Sequence, residues 1–457
     1  MEVIDLLINA RWILPIAPKN HIFEHYALAI RGGYIIDFLP QKKVKKKYYA
    51  TRSLNLKDHV VMPGLINAHT HTPMNLFRGL ADDLQLLDWL KKYIWPAEKA
   101  LINAESVCTG TELAIAEMIR GGITCFNDHY FFHDTIAQTA SKSGIRACVG
   151  VLVMNVPTNW AKDEETYLSL AKDTLAKNEN LPLISWALAP HAPYTVSDKA
   201  LKEIVKLSEQ YNLPIHMHIH ETKYEIEQSL YEYGKRPLAR LYKFGLLSER
   251  LIAVHMTQLT SEEIELVQKT KANVVHCPES NLKLASGIAP IEKLLSAGIN
   301  VAIGTDGAAS NNDLDLFSEM RTATFIAKVL GEDPTHLPAE KAIKMATLNG
   351  AKALGLENKV GSLEIGKLAD IIAVDLSSYL TQPIFNPISH LVYAINRLQV
   401  SDMWVAGEQL LKKGEFTKLD IDRILKNSLE WTDRVLPFKA SAKLEAVVNN
   451  LKPRTRK

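Results

Sequence analysis

Cysteine is scarce. The four residues Cys108, Cys125, Cys148 and Cys277 lie far apart in 457 and form no Cys-x-x-Cys pair. That excludes a disulfide framework and a zinc ribbon, and it predicts a reduced, cytoplasmic setting. No apolar run approaches about 18 residues, so no membrane span is expected. The apolar N-terminus is interrupted by Glu2, Asp5 and Arg11, and no small-residue cleavage signal follows. This is the pattern of a strand rather than of a signal peptide. Neither sign of charge is in excess: 53 Lys and Arg stand against 51 Asp and Glu, for a net charge of +2. Nothing therefore points to nucleic acid or to an acidic partner. One basic cluster, Lys42, Lys43, Lys45, Lys46 and Lys47, reads as a solvated hairpin or loop rather than a phosphate or membrane patch. The Gly-x-Gly-x-x-Gly that doubly wound sheets often carry is absent.

What is present has the composition of a soluble globular protein, 47% hydrophobic and 23% charged. The length suits a barrel of about 250 residues with an attached module. Residues 1–60 alternate as short strands, with Arg31-Gly32-Gly33 placed for a hairpin turn. The stretch 72–103 is amphipathic and rich in aromatics, and its length beside a candidate site predicts a lid. A helix follows, capped by Asn103 and closed by Gly121-Gly122. Strand-like and helix-like segments then alternate through GITCFND, IRACVGVLV, LISWALAPHAPY, LPIHMHIHE, LIAVHMTQL, NVVHCPESN and NVAIGTDG. With the strand around residue 65 they make eight. The predicted fold is an α/β (β/α)8 barrel spanning 61–360. A small β module begun by 1–60 and completed by 361–420 flanks it, and 421–457 form a helical tail with a basic end.

Chemistry collects at the strand ends. In VVMPGLINAHTH, His69 and His71 share strand parity, so both imidazoles project from one face. Strand four ends in His191, strand five in His218-Ile219-His220-Glu221, strand six in His255 and strand eight in Asp306. A lone histidine at a strand end is usually structural. Five of eight ends carrying such residues is not a pattern of accidents, since barrel enzymes place their sites there. Three imidazoles and a carboxylate form a zinc-type ligand set with a position open for water. Strand four contains no lysine to bridge two metals, so one ion is expected. His216, His218 and His220 share parity, and parity alone does not choose among them.

The motifs PGLINAHTH, HIHE, AVH and GTDG resemble the amidohydrolase superfamily over nearly the whole chain, which implies that the flanking β module is a composite β-sandwich. Trp89 and Glu98 in DWLKKYIWPAE, His191 in APHAPY, and the His218-x-x-Glu221 spacing resemble its methylthioadenosine/S-adenosylhomocysteine deaminases. The resemblance implies that His69, His71, His218 and Asp306 bind one Zn2+, or Fe2+ or another divalent ion, in each subunit. It implies that Glu221, His255 and Asp306 serve catalysis. It further implies that Glu98 holds ribose hydroxyls, that His191 and Glu221 contact the purine, and that Trp89 packs near the 5′ substituent. His216 and His220 are then left for packing or for supporting bonds. The implied reaction is hydrolytic deamination at C6, with a metal-activated water as nucleophile, Asp306 as its base and Glu221 as the proton donor to the ring. The Pro-Cys-x-x-Cys signature of the other zinc deaminases is missing.

Some members hold the amino-acid carboxylate of S-adenosylhomocysteine with arginines after strand three. Here that loop is NVPTNWAKDEETY, with Lys162 only, and Arg146 inside the strand reads as a structural ion-pair partner. Methylthioadenosine or adenosine is therefore expected ahead of S-adenosylhomocysteine. Ser280 and Asn281 either line the pocket or form a turn. The alternatives are the same machinery on guanine, cytosine or a triazine, and a barrel without metal that serves as a scaffold. The expected partner is a small nucleoside, with neither nucleic acid nor membrane, in a homo-oligomer.

Overall fold

The computed structural model describes residues 1–18, 20–177 and 181–439. The chain opens with β1 (Glu2–Ile13), β2 (Phe23–Arg31), β3 (Tyr34–Pro40) and the long β4 (Tyr48–Pro63). β2 and β3 form a hairpin closed by Gly32 and Gly33, both at positive φ, as a two-residue turn between twisted strands requires. The lysine cluster is not a hairpin or loop. Gln41–Lys47 is a short helix whose Val44 is buried while the lysines project into solvent. Lysine is a good helix former, and three of these lysines sit in the last turn, where the helix dipole favours cations.

After Gly64 the chain enters the barrel, whose strands are β5 (Leu65–Thr70), β6 (Ile123–Tyr130), β7 (Arg146–Val153) and β8 (Ile184–Pro190), then β9 (Ile215–Ile219), β10 (Leu251–His255), β11 (Asn273–His276) and β12 (Val301–Ile303). They lie side by side in chain order, each parallel to its neighbour. Every residue of β5, β6 and β7 is buried, as expected for a parallel sheet covered on both faces. The gap between β12 and β5 is bridged at the top by Asp306 N–H donating to His69 O at 3.0 Å and Thr305 N–H donating to Asn67 Oδ1 at 3.0 Å. Gly304 permits this approach, because a Cβ there would stand 2.8 Å from the His69 backbone nitrogen.

The chain then returns through β13 (Ile371–Asp375), β14 (Val400–Val405), β15 (Glu408–Lys412) and β16 (Glu415–Phe416). These join the N-terminal strands in a second, mixed sheet ordered β16-β15-β14-β13-β4-β1-β2-β3. β4 is the seam, parallel to β1 and antiparallel to β13. Leu6, Ile8, Leu28 and Ile30 from the first segment share a core with Ile371 and Trp404 from the last. Arg146, at the start of β7, ties the two sheets with a bidentate pair to Asp370, at 2.8 and 2.9 Å, both side chains buried. The tail begins as the helix Ile421–Leu429; the basic end at 451–457 lies outside the described residues. No helix among the described residues is long and apolar enough to cross a membrane, and all four cysteines are free.

Candidate active site

The stretch after β5 is helical rather than a loop. A 3-10 segment, Thr72–Phe77, leads to a helix running from Leu86 to Leu101 with a π turn at Leu90–Ile94. Pro96 lacks the N–H that would close an ordinary turn there, and the helix widens just before it. Its inner face brings Trp89 and Glu98 to the mouth of the barrel. Asn159, after β7, clasps this helix by donating from Nδ2 to the carbonyls of Lys99 (2.9 Å) and Ile102 (3.0 Å).

Beneath it lies a cavity of about 360 Å3, within the range of small-ligand sites. Its floor carries His71, His218, Glu221, His255 and Asp306; its walls carry His191, Trp89 and Glu98. His69 is fully buried just below. All nine residues singled out in the sequence therefore gather at one end of the barrel.

Four of them form the one group of metal-type donors found among the described residues. One donor atom from each of His69, His71, His218 and Asp306 lies within 4.8 Å of the others. The ring nitrogens facing away from this group are already engaged. His71 Nδ1 lies 2.6 Å from the carbonyl of His129, and His218 Nδ1 lies 2.8 Å from that of His191. A carbonyl only accepts, so these Nδ1 atoms carry the protons and the Nε2 atoms are left as lone pairs. His69 Nδ1 is 2.8 Å from His216 Nε2. Asp306 Oδ1 sits 3.2 Å from His69 Nε2 and 3.1 Å from His71 Nε2. Lone pairs facing a carboxylate at that distance call for a cation between them, so these residues fit a divalent ion.

The electrostatics agree. Burial pushes His69 down to about 4 and holds His218 well below the usual imidazole range, so both favour the neutral, ligating form. Burial acts against the charge of Asp306, whose Oδ1 faces the His69 and His71 rings. Ser280 and Ser310 both donate to Asp306 Oδ2, at 2.6 and 2.8 Å. Asp306 and His255 each adopt a left-handed backbone, with φ of 61° and 74°. Such strain persists where surrounding bonds over-determine it. Thr70 and Thr305 hydroxyls each donate to the Asp306 carbonyl at 3.0 Å.

Glu221 and His255 face each other, Oε2 to Nε2, at 3.9 Å. Burial raises the pKa of Glu221 above that of an ordinary glutamate. Its backbone N–H, with that of His220, donates to the buried carboxyl of Glu225 at 2.8 and 2.9 Å. Asn281 Oδ1 is 2.8 Å from His255 Nδ1. Ser280 and Asn281, ambiguous in the sequence, thus contact two of the central residues. His220 turns away from the site and accepts from Leu238 N–H at 3.3 Å.

Several participants carried no sequence signal. Tyr130, at the end of β6, donates from its hydroxyl to Glu98 Oε1 at 2.6 Å. Burial raises Glu98 to about 7, against the lowering effect of that bond. The far wall, after β7, is made of Met154, Val156, Pro157 and Trp160, while Lys162 is exposed and takes no part in the cavity.

The sequence profile of the amidohydrolase family matches residues 60–410. A protein of Saccharophagus degradans named 5-methylthioadenosine/S-adenosylhomocysteine deaminase is 44% identical over 439 residues, 96% of this chain and 98% of that one. A protein of Moorella thermoacetica with the same name is 43% identical over 421 residues, 92% of this chain and 97% of that one. Among solved structures, an adenosine deaminase from Xanthomonas campestris with bound zinc superposes with a TM-score of 0.94 at 48% identity, covering 95% of this chain and 99% of that one.

Proposed function

The chain belongs to the amidohydrolase family, and from that premise we propose that it hydrolyses the C6 amine of an adenine nucleoside, with 5′-methylthioadenosine as its first substrate. The products are ammonia and the inosine analogue. The observation that carries this is the shared cavity, in which the metal-type group and the Trp89–Glu98 helix face one another. A free base has no ribose hydroxyls for Glu98 to hold.

His69, His71, His218 and Asp306 hold one divalent ion, zinc in the first instance and Fe2+ as the alternative. When bound, such an ion lowers the pKa of a water from about 16 toward about 7 and makes a nucleophile available at neutral pH. Asp306 accepts the proton of the attacking water. Its Oδ2 is held by two serine hydroxyls, so the carboxylate does not swing as it takes and returns that proton. Glu221 delivers a proton to the ring nitrogen beside C6 and relieves the charge that develops there. Its raised pKa, a consequence of burial, favours the protonated form that this step needs. His255 presents Nε2 to the same space and orients the water. Asp306 then passes its proton to the amine, the C6–N bond breaks and ammonia leaves, while the C6 hydroxyl returns its proton to Glu221 as the carbonyl forms.

His191 has Nδ1 committed to Thr195 Oγ at 3.0 Å, leaving Nε2 for a purine nitrogen. Glu98 takes the ribose hydroxyls. Beyond them, Met154, Val156 and Trp160 offer the apolar surface that suits a methylthio group, and Lys99 is the one lysine or arginine in the lining that could meet the carboxylate of S-adenosylhomocysteine. The four free thiols suit a reducing cytoplasm. A homo-oligomer is the assembly we propose, on the exposed Phe325, Val329 and Leu330 of one helix, to be checked by light scattering.

The test is an ammonia-release screen with methylthioadenosine, adenosine, S-adenosylhomocysteine, guanine, cytosine and a triazine. Methylthioadenosine should give the highest kcat/KM. No ammonia from any adenosine compound would overturn the substrate class.

A further inference from the structure

Glu319 is used by none of the chemistry above, yet it is completely buried on the helix Leu316–Leu330, behind the wall of the barrel mouth. A buried carboxyl is costly unless its oxygens are engaged. Oε1 accepts from Asn311 Nδ2 at 2.6 Å, and Oε2 accepts from the backbone N–H of Glu279 at 3.2 Å. These two donors belong to different loops.

Asn311 lies in the loop after β12. Its amide also donates to the carbonyl of Thr305 at 2.9 Å, and its backbone N–H donates to Gly307 O at 2.9 Å. Thr305 and Gly307 flank Asp306. Glu279 lies in the short helix Pro278–Lys283 after β11. The next two residues are Ser280, 2.6 Å from Asp306 Oδ2, and Asn281, 2.8 Å from His255 Nδ1. One carboxyl group thus spans both loops from behind. Burial holds Glu319 well above the ordinary glutamate range and the neighbouring Glu279 carboxylate adds repulsion, while the N–H donors of Glu279 and Asn311 pull the other way, toward the ionised form that accepts at both oxygens. Glu279 is itself steadied by the hydroxyls of Ser318 (2.5 Å) and Thr322 (2.7 Å). A natural hydrophobic residue would fill this space at lower cost, so the carboxyl is there for its two acceptors.

We propose that Glu319 is a positioning residue: its carboxyl group clamps the loops after β11 and β12 to each other and so sets Asp306 and His255 relative to the reacting carbon. This rests on Asp306 and His255 acting as described under the proposed function.

The decisive variant is Glu319→Gln. It keeps the shape but accepts with one oxygen only, and its NH2 confronts a donor at the other arm. Asn311→Ala cuts one arm without touching the buried carboxyl. In the zinc-loaded protein each should lower kcat for methylthioadenosine about 10- to 100-fold, the scale of a small misplacement. KM should stay within about threefold and zinc at one per chain. Cobalt(II)-substituted protein supplies a readout free of turnover, since Asp306 is a proposed ligand; its visible absorption should shift in both variants. Unchanged kcat and an unchanged cobalt spectrum would overturn the clamp. So would activity lost only in step with zinc or with the folded fraction, which marks a merely structural role. Should the wild type release no ammonia from any adenosine compound, the functional proposal fails by itself, and the cobalt spectrum still decides whether Glu319 sets Asp306.

Discussion

Replacing Glu98 with glutamine separates two quantities that are easily confused, the stability of the fold and its affinity for a ligand. The Glu98 carboxyl stands at the inner wall of the cavity, with the Tyr130 hydroxyl at 2.6 Å, and burial raises it from 4.5 to about 7. The folded chain therefore holds this proton more tightly than the unfolded one. Stability falls as pH rises from about 4.5 and levels off above about 7, where the ionised group bears its full cost. That displacement corresponds to about 3 kcal/mol. Glu98 as a whole is half-buried, and cavity water screens the charge, which leaves about 1–2 kcal/mol. Glutamine removes the ionisation. Thermal unfolding of zinc-loaded wild type and Glu98→Gln should thus coincide near pH 5 and diverge by about 1–2 °C at pH 8, with the variant more stable. At pH 8, KM for methylthioadenosine should rise about 10- to 100-fold, because hydrogen bonds to a charged group are worth about 1.5–3 kcal/mol, and the rise should shrink toward pH 5, where Glu98 is protonated. Turnover of free adenine, however slow, should change little. A variant no more stable at pH 8 than at pH 5 would refute the burial account. A KM rise equal for nucleoside and free base would refute the ribose assignment.

Tyr130→Phe removes one hydrogen bond from Glu98. It should raise KM for methylthioadenosine about 5- to 10-fold with kcat within about twofold, and an unchanged KM would detach Tyr130 from substrate binding. Arg146→Leu leaves Asp370 buried and unpaired, and should cost about 3–5 kcal/mol in denaturant unfolding. The surviving folded fraction should keep its kcat/KM, since the pair joins the two sheets far from the cavity. Stripping the metal with a chelator should abolish turnover and lower the unfolding temperature. One equivalent of zinc should restore both; full activity in demonstrably metal-free protein would end the metal assignment.

The eight strands were legible because buried parallel strands read as short apolar runs, and a helix cap such as Asn103 marks where a covering helix begins. The candidate ligands were legible for a related reason. A barrel places its strand ends on one rim, so linear positions such as His69 and Asp306 translate into a common location. The helical state of 86–101 was less visible, because its aromatic content and Pro96 resemble a loop while its π turn answers to packing. Tyr130 and Glu319 were invisible, since each matters through one partner far away in the chain.

The histidines of β9 mark the boundary between the two kinds of information. Residue identity and strand period placed His216, His218 and His220 on one face and went no further. Tertiary contacts separated them. The carbonyl of His191 takes the Nδ1 proton of His218 and leaves Nε2 for the metal group. His216 lies beneath His69, with Nε2 at 2.8 Å from its Nδ1. At His220 the backbone turns to φ 56° and carries the ring to Leu238. The sequence by itself thus determined which side chains were available and on which rim of the barrel they would stand, because strand parity and parallel topology are properties of local pattern. Only the tertiary structure decided which nitrogen carries the proton and which is free to bind, because that depends on acceptors supplied by other strands.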